Sequence, residues 1–202
     1  AQSASTNVRS TSSHATLSMH ISTHTPVLLQ TAVTHIYAPG KPNLSFSTRL
    51  LFDSGSQRSY ISRRLRELLS LNAEKTEVMK INTFGKDNGK MESCDVVRVN
   101  MKMRYGPDME FSLLTVPVIC EPLTGQTITF ATQQFKHLST LDLADPGDIH
   151  NINILIGADN YWRLVNGRIQ KGRGGPTAIE TKLGWVLSGP VPSFPRNLRI
   201  LL

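Results

Sequence analysis

The stretch Leu50-Leu51-Phe52-Asp53-Ser54-Gly55 decides how the rest of the sequence is interpreted. Its three apolar residues are typical of a buried strand, and the acidic residue follows where the chain must turn. Glycine adopts backbone conformations that are closed to other residues, so Gly55 favours a tight turn. The sequence therefore predicts a strand that ends in an exposed loop presenting the carboxylate of Asp53. Ordinary surface turns can have the same three residues, so other parts of the chain must decide between the two interpretations.

The composition predicts a folded domain with a basic surface. Of the 202 residues, 39% are hydrophobic and 18% are charged, which is enough for a real core. A total of 22 Lys and Arg against 15 Asp and Glu gives a net charge of +7. The basic residues are scattered and never reach the run of about five or six like charges that marks a binding tail. We therefore do not expect nucleic acid to be the main ligand.

Cysteine usage and hydropathy argue against several other classes of protein. Cys94 and Cys120 are too few for a disulfide scaffold, and neither has a Cys or His partner at zinc-ligand spacing. We expect free thiols, no metal site and no cofactor. No signal peptide is visible, and no stretch approaches the roughly 18 apolar residues of a membrane span. A membrane partner is therefore not expected.

The chain divides into three segments of different character. Residues 1–24 are rich in Ser and Thr without periodicity, which predicts a flexible leader. Residues 25–192 have the alternating apolar pattern of a folded domain, and residues 193–202 are predicted to begin a linker to downstream sequence. The chain starts with Ala rather than Met and stops abruptly at Leu202, so both ends look like cuts within a longer polypeptide.

The domain is predicted to be mainly β with one or two short helices. Apolar segments bounded by turn residues predict strands at 27–37, 44–52, 76–84, 97–103, 109–118, 152–157 and 178–187. A helix is predicted over 62–71, where Ser62 can cap the first turn and leucines recur at helical spacing. We expect Asn160 to cap a second short helix. Residues 121–150 are irregular and predict an inserted loop that can hold a short helix.

A carboxylate such as Asp53 can activate water if a second carboxylate faces it. Two carboxylates this close share a proton: one deprotonates the water, and the other donates to the carbonyl oxygen of a peptide bond. The chain contains one Asp-Ser-Gly; the sequence at 187–189 has Leu in place of Asp, and the sequence at 145–147 has Pro in the middle. We therefore predict a homodimer in which each chain contributes its Asp53 at a twofold axis, acting on a polypeptide substrate.

Three further features suit such a site. The strands around Gly85–Gly89 predict a long hairpin, which can cover a cleft as a flap or be an ordinary surface hairpin. The step Leu155-Ile156-Gly157 can pack beside the Asp53 loop, or simply end a core strand. The hydroxyl of Ser54 is predicted to hold the loop, bonding across the dimer axis. It is not expected to be a nucleophile, because no His and acid stand near it in a recognisable elbow.

Four blocks of sequence, in order, resemble the retropepsin-like aspartic peptidases. They are most similar to the peptidase region of BEL/Pao-type retrotransposon polyproteins. The blocks read LFDSGSQRSYI at 51–61, INTFG at 81–85, LIGADNYW at 155–162 and ETKLGWVLSGP at 180–190. The likeness covers roughly residues 25–192. Four blocks in order are far more specific than one tripeptide.

The resemblance implies a fold, a site and a biological setting. It implies a closed, β-barrel-like, single-lobe acid protease subunit that is active as a homodimer and cleaves its own Gag-Pol polyprotein in the cytoplasm, within virus-like particles. The leader would link to upstream Gag, and the tail would lead toward reverse transcriptase. The implied site residues are catalytic Asp53; loop-supporting Ser54, Gly55 and Ser56; flap residues Phe84, Gly85, Lys86, Asp87, Asn88 and Gly89; and second-half loop residues Ile156, Gly157, Ala158 and Asp159.

The sequence departs from the retroviral pattern in ways that carry expectations. Ser56 stands where Ala commonly follows the glycine, and both residues are small. Retroviral enzymes have Arg shortly after the second-half glycine, whereas this chain has Ala158-Asp159, so Arg58 and Asp159 are expected to form an ion pair with the charges exchanged. Two alternatives to the peptidase stay open. They are a catalytically silent dimerisation or interaction module of the same fold, and a basic polyprotein segment that contacts nucleic acid.

Overall fold

A computed structural model describes residues 25–81, 90–120, 128–147 and 151–192. The strands are β1 Val27–Leu28, β2 Thr31–Tyr37, β3 Ser45–Phe52, β4 Tyr60–Ser62, β5 Ala73–Ile81, β6 Lys90–Met101, β7 Met109–Val116, β8 Ile152–Ile156, β9 Val165–Gln170, β10 Thr177–Thr181 and β11 Gly184–Pro190. The helices are α1 Arg63–Leu68, α2 Ile128–Gln134 and α3 Ala158–Leu164. None of the helices in these ranges is long and apolar enough to cross a membrane.

The larger sheet forms a closed barrel. Its strand order is β2-β3-β8-β4-β7-β6-β5, and pairing between β2 and β6 closes six of these strands into a ring. The strand β5 continues outward from β6 as one arm of an antiparallel hairpin. Closure pairs the backbone groups that an open sheet would leave at its edges. The predicted mainly β, single-lobe, retropepsin-like subunit with short helices is thus confirmed.

The barrel is filled by alternate residues of its strands. Successive side chains of a strand point to opposite faces, so an apolar residue at every second position supplies one buried face. The fully or nearly fully buried residues of this kind on β3, β6 and β8 are Leu50, Phe52, Val97, Val99, Met101, Ile154 and Ile156. Burying a side chain of this size contributes about 1.5–3 kcal/mol, so this interior is the main source of the domain's stability.

A second, smaller core lies beside the barrel. The strands β1-β11-β10-β9 form a four-stranded antiparallel sheet, and α2 packs on it. The buried members of this core are Leu28, Ile128, Ala131, Leu138, Ala178, Leu187 and Val191. The hairpin of β10 and β11 accounts for the segment predicted at 178–187. The helix α2 lies in the irregular 121–150 segment, so the prediction of a short helix there is confirmed; 121–127 and 148–150 are outside the described ranges.

Several predicted strand and helix boundaries are wrong. The strand β5 begins at Ala73 and not at 76, and β6 is Lys90–Met101 and not 97–103, so β6 begins seven residues earlier than predicted. The segment 27–37 is two strands, because the chain leaves the small sheet after Leu28 and joins the barrel at Thr31. The predicted helix over 62–71 is shorter and ends at Leu68. Ser62 caps α1 as expected, its hydroxyl accepting from the Leu65 N–H at 3.3 Å. The turn after α1 brings Ser70 to a left-handed φ of 49°, which ends the helix.

The prediction for Asn160 is also wrong. Gly157 is the N-cap of α3, and Asn160 lies buried within the helix. Two strands were not predicted at all. The strand β4 has three residues, too few for an alternating pattern, and β9 reads Val-Asn-Gly-Arg-Ile-Gln with most of its residues exposed.

The bulkiest fully buried side chain of the described residues is charged. The Arg49 Nε donates to Asp145 Oδ2 at 2.7 Å, and its Nη2 donates to Thr31 Oγ1 at 3.1 Å. Asp145 also accepts from the Thr31 hydroxyl and, through Oδ1, from the Gly147 N–H at 2.8 Å. The Arg49 and Asp145 side chains are only 2% and 4% exposed. This pair fastens the turn at 145–147 to the barrel.

Candidate active site

The Asp53 loop begins where β3 ends. The Asp53 N–H donates to the Ile156 carbonyl at 2.9 Å, and the Asp53 carbonyl accepts from Ser56 N–H at 3.1 Å, which closes a turn. The carboxylate Oδ1 accepts from the Gly55 N–H at 3.0 Å. Asp53 is half-buried, and Ser54 and Gly55 are exposed. The loop therefore presents a fixed carboxylate at the surface of the subunit.

A second loop lies beside it because β3 and β8 are parallel neighbours. Leu51 pairs with Leu155 and Phe52 with Ile156, so the two strands end at the same edge of the sheet. The loop after β8 then contacts the Asp53 loop directly, the Ala158 N–H donating to the Ser56 carbonyl at 2.7 Å. The barrel thus brings together two segments that are about one hundred residues apart in sequence.

Gly157 makes this contact possible. A Cβ atom at this position would lie 2.2 Å from the carbonyl oxygen of Arg58 and 2.9 Å from that of Ser56. The φ of Gly157 is −84°, which any residue can adopt. Glycine is therefore required here for space and not for backbone conformation. This is the close backbone approach that the sequence led us to expect at Gly157.

Sequence reasoning missed Ser59, which joins the two loops. Ser59 is 1% exposed. Its hydroxyl donates to Asp159 Oδ1 at 2.6 Å and accepts from the Gly157 N–H at 2.9 Å and the Asn160 side-chain amide at 3.0 Å. Its N–H donates to Asp159 Oδ2 at 3.2 Å. No local signal in the sequence marks Ser59, because its partners lie about one hundred residues away.

Arg58 contacts Asp159, as the exchanged-charge prediction requires, but this is not its shortest ion pair. The Arg58 Nε lies 3.7 Å from Asp159 Oδ2, whereas its Nη1 lies 2.9 Å from Glu77 Oε2 on β5. Hydrogen bonds from Lys75 and Arg58 hold the pKa of Glu77 below its usual value. Arg58 therefore also connects the Asp53 loop to the β5–β6 hairpin. Partly exposed pairs of this kind contribute little stability, so Ser59 is the stronger partner of Asp159.

Comparison with protein families identifies the domain. The family model described as "Putative peptidase (DUF1758)" matches residues 34–192. The chain belongs to this family. The matched range includes Asp53, Ser59 and Gly157, and it supports a peptidase-like domain. Comparison with curated proteins gave no match, and neither did comparison with solved structures.

The remaining predicted site residues of this DUF1758 domain are those of the flap and the two serines of the Asp53 loop. The hairpin of β5 and β6 is present, but the flap residues Phe84, Gly85, Lys86, Asp87, Asn88 and Gly89 lie outside the described residues. Ser56 is half-buried and its hydroxyl donates to the Arg58 carbonyl at 2.9 Å, within its own loop. The prediction that the exposed Ser54 bonds across a dimer axis stays a prediction.

Two other carboxylates, those of Asp145 and Asp159, are not free to complete a pair with Asp53 in the same subunit. Asp145 is enclosed with Arg49, and Asp159 uses both oxygens to accept from Ser59. Within the described ranges, no group of three or more His, Cys, Asp or Glu is placed to hold a metal ion. In the two described loops that contact each other, the carboxylate that remains presented is that of Asp53.

Replacing Gly157 with Ala is expected to destabilise the domain by about 1–3 kcal/mol or more, because the new methyl group must displace the backbone of the Asp53 loop. The measurement is the midpoint of denaturant unfolding, taken beside peptide cleavage. Gly174→Ala is the matched control, because no atom lies within 4 Å of a Cβ placed at Gly174. Equal midpoints for the two variants would show that the loops are not in close contact.

Proposed function

We propose that this domain is an aspartic endopeptidase, active as a homodimer in which water is activated between the two Asp53 side chains. The observation that carries the proposal is a single presented Asp53 on a loop braced by the segment after β8, in a closed single-lobe barrel. One subunit supplies half of a two-carboxylate site. A twofold axis beside the loop supplies the other half from an identical chain.

The reaction follows from the proton shared by the pair. The ionised Asp53 takes a proton from the water, and the water oxygen bonds to the carbon of the scissile carbonyl. The protonated Asp53 of the other chain donates to the carbonyl oxygen, giving a neutral tetrahedral diol. Collapse of the diol breaks the carbon–nitrogen bond. The Asp53 that took the proton from water gives it to the leaving nitrogen, and the now ionised Asp53 of the other chain takes a proton from a diol hydroxyl, which restores the starting pair. The enzyme forms no covalent intermediate.

The proposed substrate is a polypeptide in extended conformation. The β5–β6 hairpin is long enough to lie over a bound chain, and its backbone can pair with that of the substrate. The resemblance to BEL/Pao-type polyproteins supports the element's own Gag-Pol polyprotein as the natural substrate, processed in the cytoplasm within virus-like particles.

The test is cleavage of an unfolded polypeptide, with the solution mass recorded on the same samples. We expect cleavage at about pH 5 to 6 and loss of activity as pH rises, because one Asp53 of the pair must stay protonated. Specific activity should fall on dilution as dimers separate. Full activity at about pH 9 would contradict the shared proton. A folded dimer without cleavage would favour the silent dimerisation module instead.

A further inference from the structure

We infer that Ser59 is a positioning residue for Asp53: its hydroxyl locks the catalytic loop onto the loop after β8. The inference rests on the proposed function, since it concerns the geometry of the same carboxylate. Ser59 is six residues after Asp53 and ends the loop that Asp53 begins. Holding both ends of a short loop fixes the residues between them. Ser59 does not contact a substrate in this arrangement; it acts through the backbone.

The hydroxyl of Ser59 is fully used by the second loop. It donates one hydrogen bond to Asp159 and accepts two, from Gly157 N–H and the Asn160 amide, which is the full capacity of a hydroxyl group. All three partners belong to the segment 157–160, so one small side chain binds the start of α3 at three points. A side chain that can only donate or only accept hydrogen bonds could not satisfy these three partners.

The second loop is in turn anchored in the barrel. The Asn160 Oδ1 accepts from Arg163 Nη1 at 2.7 Å, and Arg163 Nη2 donates to the Glu110 carbonyl on β7 at 3.0 Å. The Arg163 guanidinium lies 4.6 Å above the centre of the Phe111 ring. Phe111 belongs to the barrel core. The chain of contacts therefore runs from the catalytic loop to a rigid part of the fold.

Loss of the hydroxyl is expected to loosen the contact that places Asp53. The Ala158 N–H to Ser56 carbonyl bond and the Asp53 N–H to Ile156 carbonyl bond both cross between the two loops. If the Ser59 hydroxyl is removed, the Gly157 N–H and the Asp159 carboxylate must find water, and the loops separate to admit it. A displacement of about 1 Å at a catalytic group can cost about 100-fold in rate.

Ser59→Ala and Ser59→Thr are the test variants, and Ser62→Ala is the matched control. Ser62 is also a buried serine, with its hydroxyl donating to Asn153 and accepting from the Leu65 N–H, but it caps α1 and not the catalytic loop. We expect Ser59→Ala to lower kcat by at least about tenfold with KM changed by less than about threefold. Ser59→Thr keeps the hydroxyl group, so its kcat should be close to that of wild type. Ser62→Ala should lower the free energy of unfolding and leave kcat near the wild-type value.

Hydrogen exchange gives a second readout that does not need activity. The Ala158 amide should exchange faster in Ser59→Ala than in wild type, and at the wild-type rate in Ser62→Ala. If Ser59→Ala does not fold, Asn160→Ala takes its place, because it removes one of the three hydrogen bonds to the Ser59 hydroxyl. Its fall in kcat and its faster exchange at Ala158 should be in the same direction but smaller. Wild-type kcat, or wild-type exchange at Ala158, in these Ser59 and Asn160 variants would overturn the inference. If wild type and Asp53→Asn both fail to cleave, the proposed function fails, and exchange at Ala158 alone decides the role of Ser59.

Discussion

Asp53→Asn is expected to abolish the proposed cleavage and leave the fold and the proposed dimer intact. Asn has nearly the same shape as Asp, and its carbonyl oxygen can still accept from the Gly55 N–H that holds the loop. An amide cannot take a proton from water or share one with a neighbouring carboxylate. General acid–base groups contribute about 10²–10⁴-fold to rate, so the fall should be at least of this size. The measurement is cleavage, with circular dichroism and solution mass on the same samples.

Mixing the variant with wild type tests whether the site is shared. A mixed dimer contains one Asp53 and one Asn, so it lacks the pair. Added Asp53→Asn protein should therefore suppress the activity of a fixed amount of wild type as subunits exchange. Asp142→Asn, which alters an exposed side chain, is the control and should not suppress it. Undiminished activity in exchanging mixtures would show that one subunit holds a complete site.

Asp145→Ala is expected to destabilise the domain by about 3–5 kcal/mol, because it leaves the Arg49 guanidinium buried without its carboxylate. It also removes the acceptor of the Gly147 N–H. The measurement is denaturant unfolding, where the midpoint should fall sharply.

Asp142→Ala is the matched control for this variant. Asp142 pairs with Arg104 at 2.6 Å, but its side chain is 56% exposed, and pairs of this kind contribute about 0–1 kcal/mol. The two variants each remove one carboxylate from the same connecting segment, one enclosed and one at the surface. Similar unfolding midpoints would show that the Arg49 and Asp145 charges are solvated in solution.

The parts of the fold that could be predicted are those with local signals. The β2–β3 and β5–β6 hairpins follow from apolar alternation and adjacent turn residues, and both are present. The strand β4 could not be predicted, because its three residues are held by β7 on one side and β8 on the other. Such non-local pairing leaves no periodic pattern in the sequence. The change of sheet between β1 and β2 was hidden for the same reason.

In the candidate site, too, residues with a local signal in the sequence could be predicted, and residues held by distant contacts could not. Asp53 and Gly157 could be proposed because each follows an apolar strand and glycine signals a special backbone position. The role of Ser59 depends on three hydrogen bonds to residues about one hundred positions away, which no local pattern encodes. Asn160 was misread as a cap because α3 begins earlier, at Ala158, with Gly157 before it. A polar residue near a helix start signals a cap only when the start itself is known.

The pairing of β1 with β11 decides how the domain responds to tension. Val27 lies opposite Pro190, and the Val191 N–H donates to the Pro26 carbonyl at 2.8 Å, so the chain enters and leaves the small sheet side by side. A pull on the flanking polypeptide therefore loads the hydrogen bonds of this pair in succession, as in a zipper, and not all at once. We expect opening under force to begin with β1 peeling from β11, before the load reaches the ring of barrel strands.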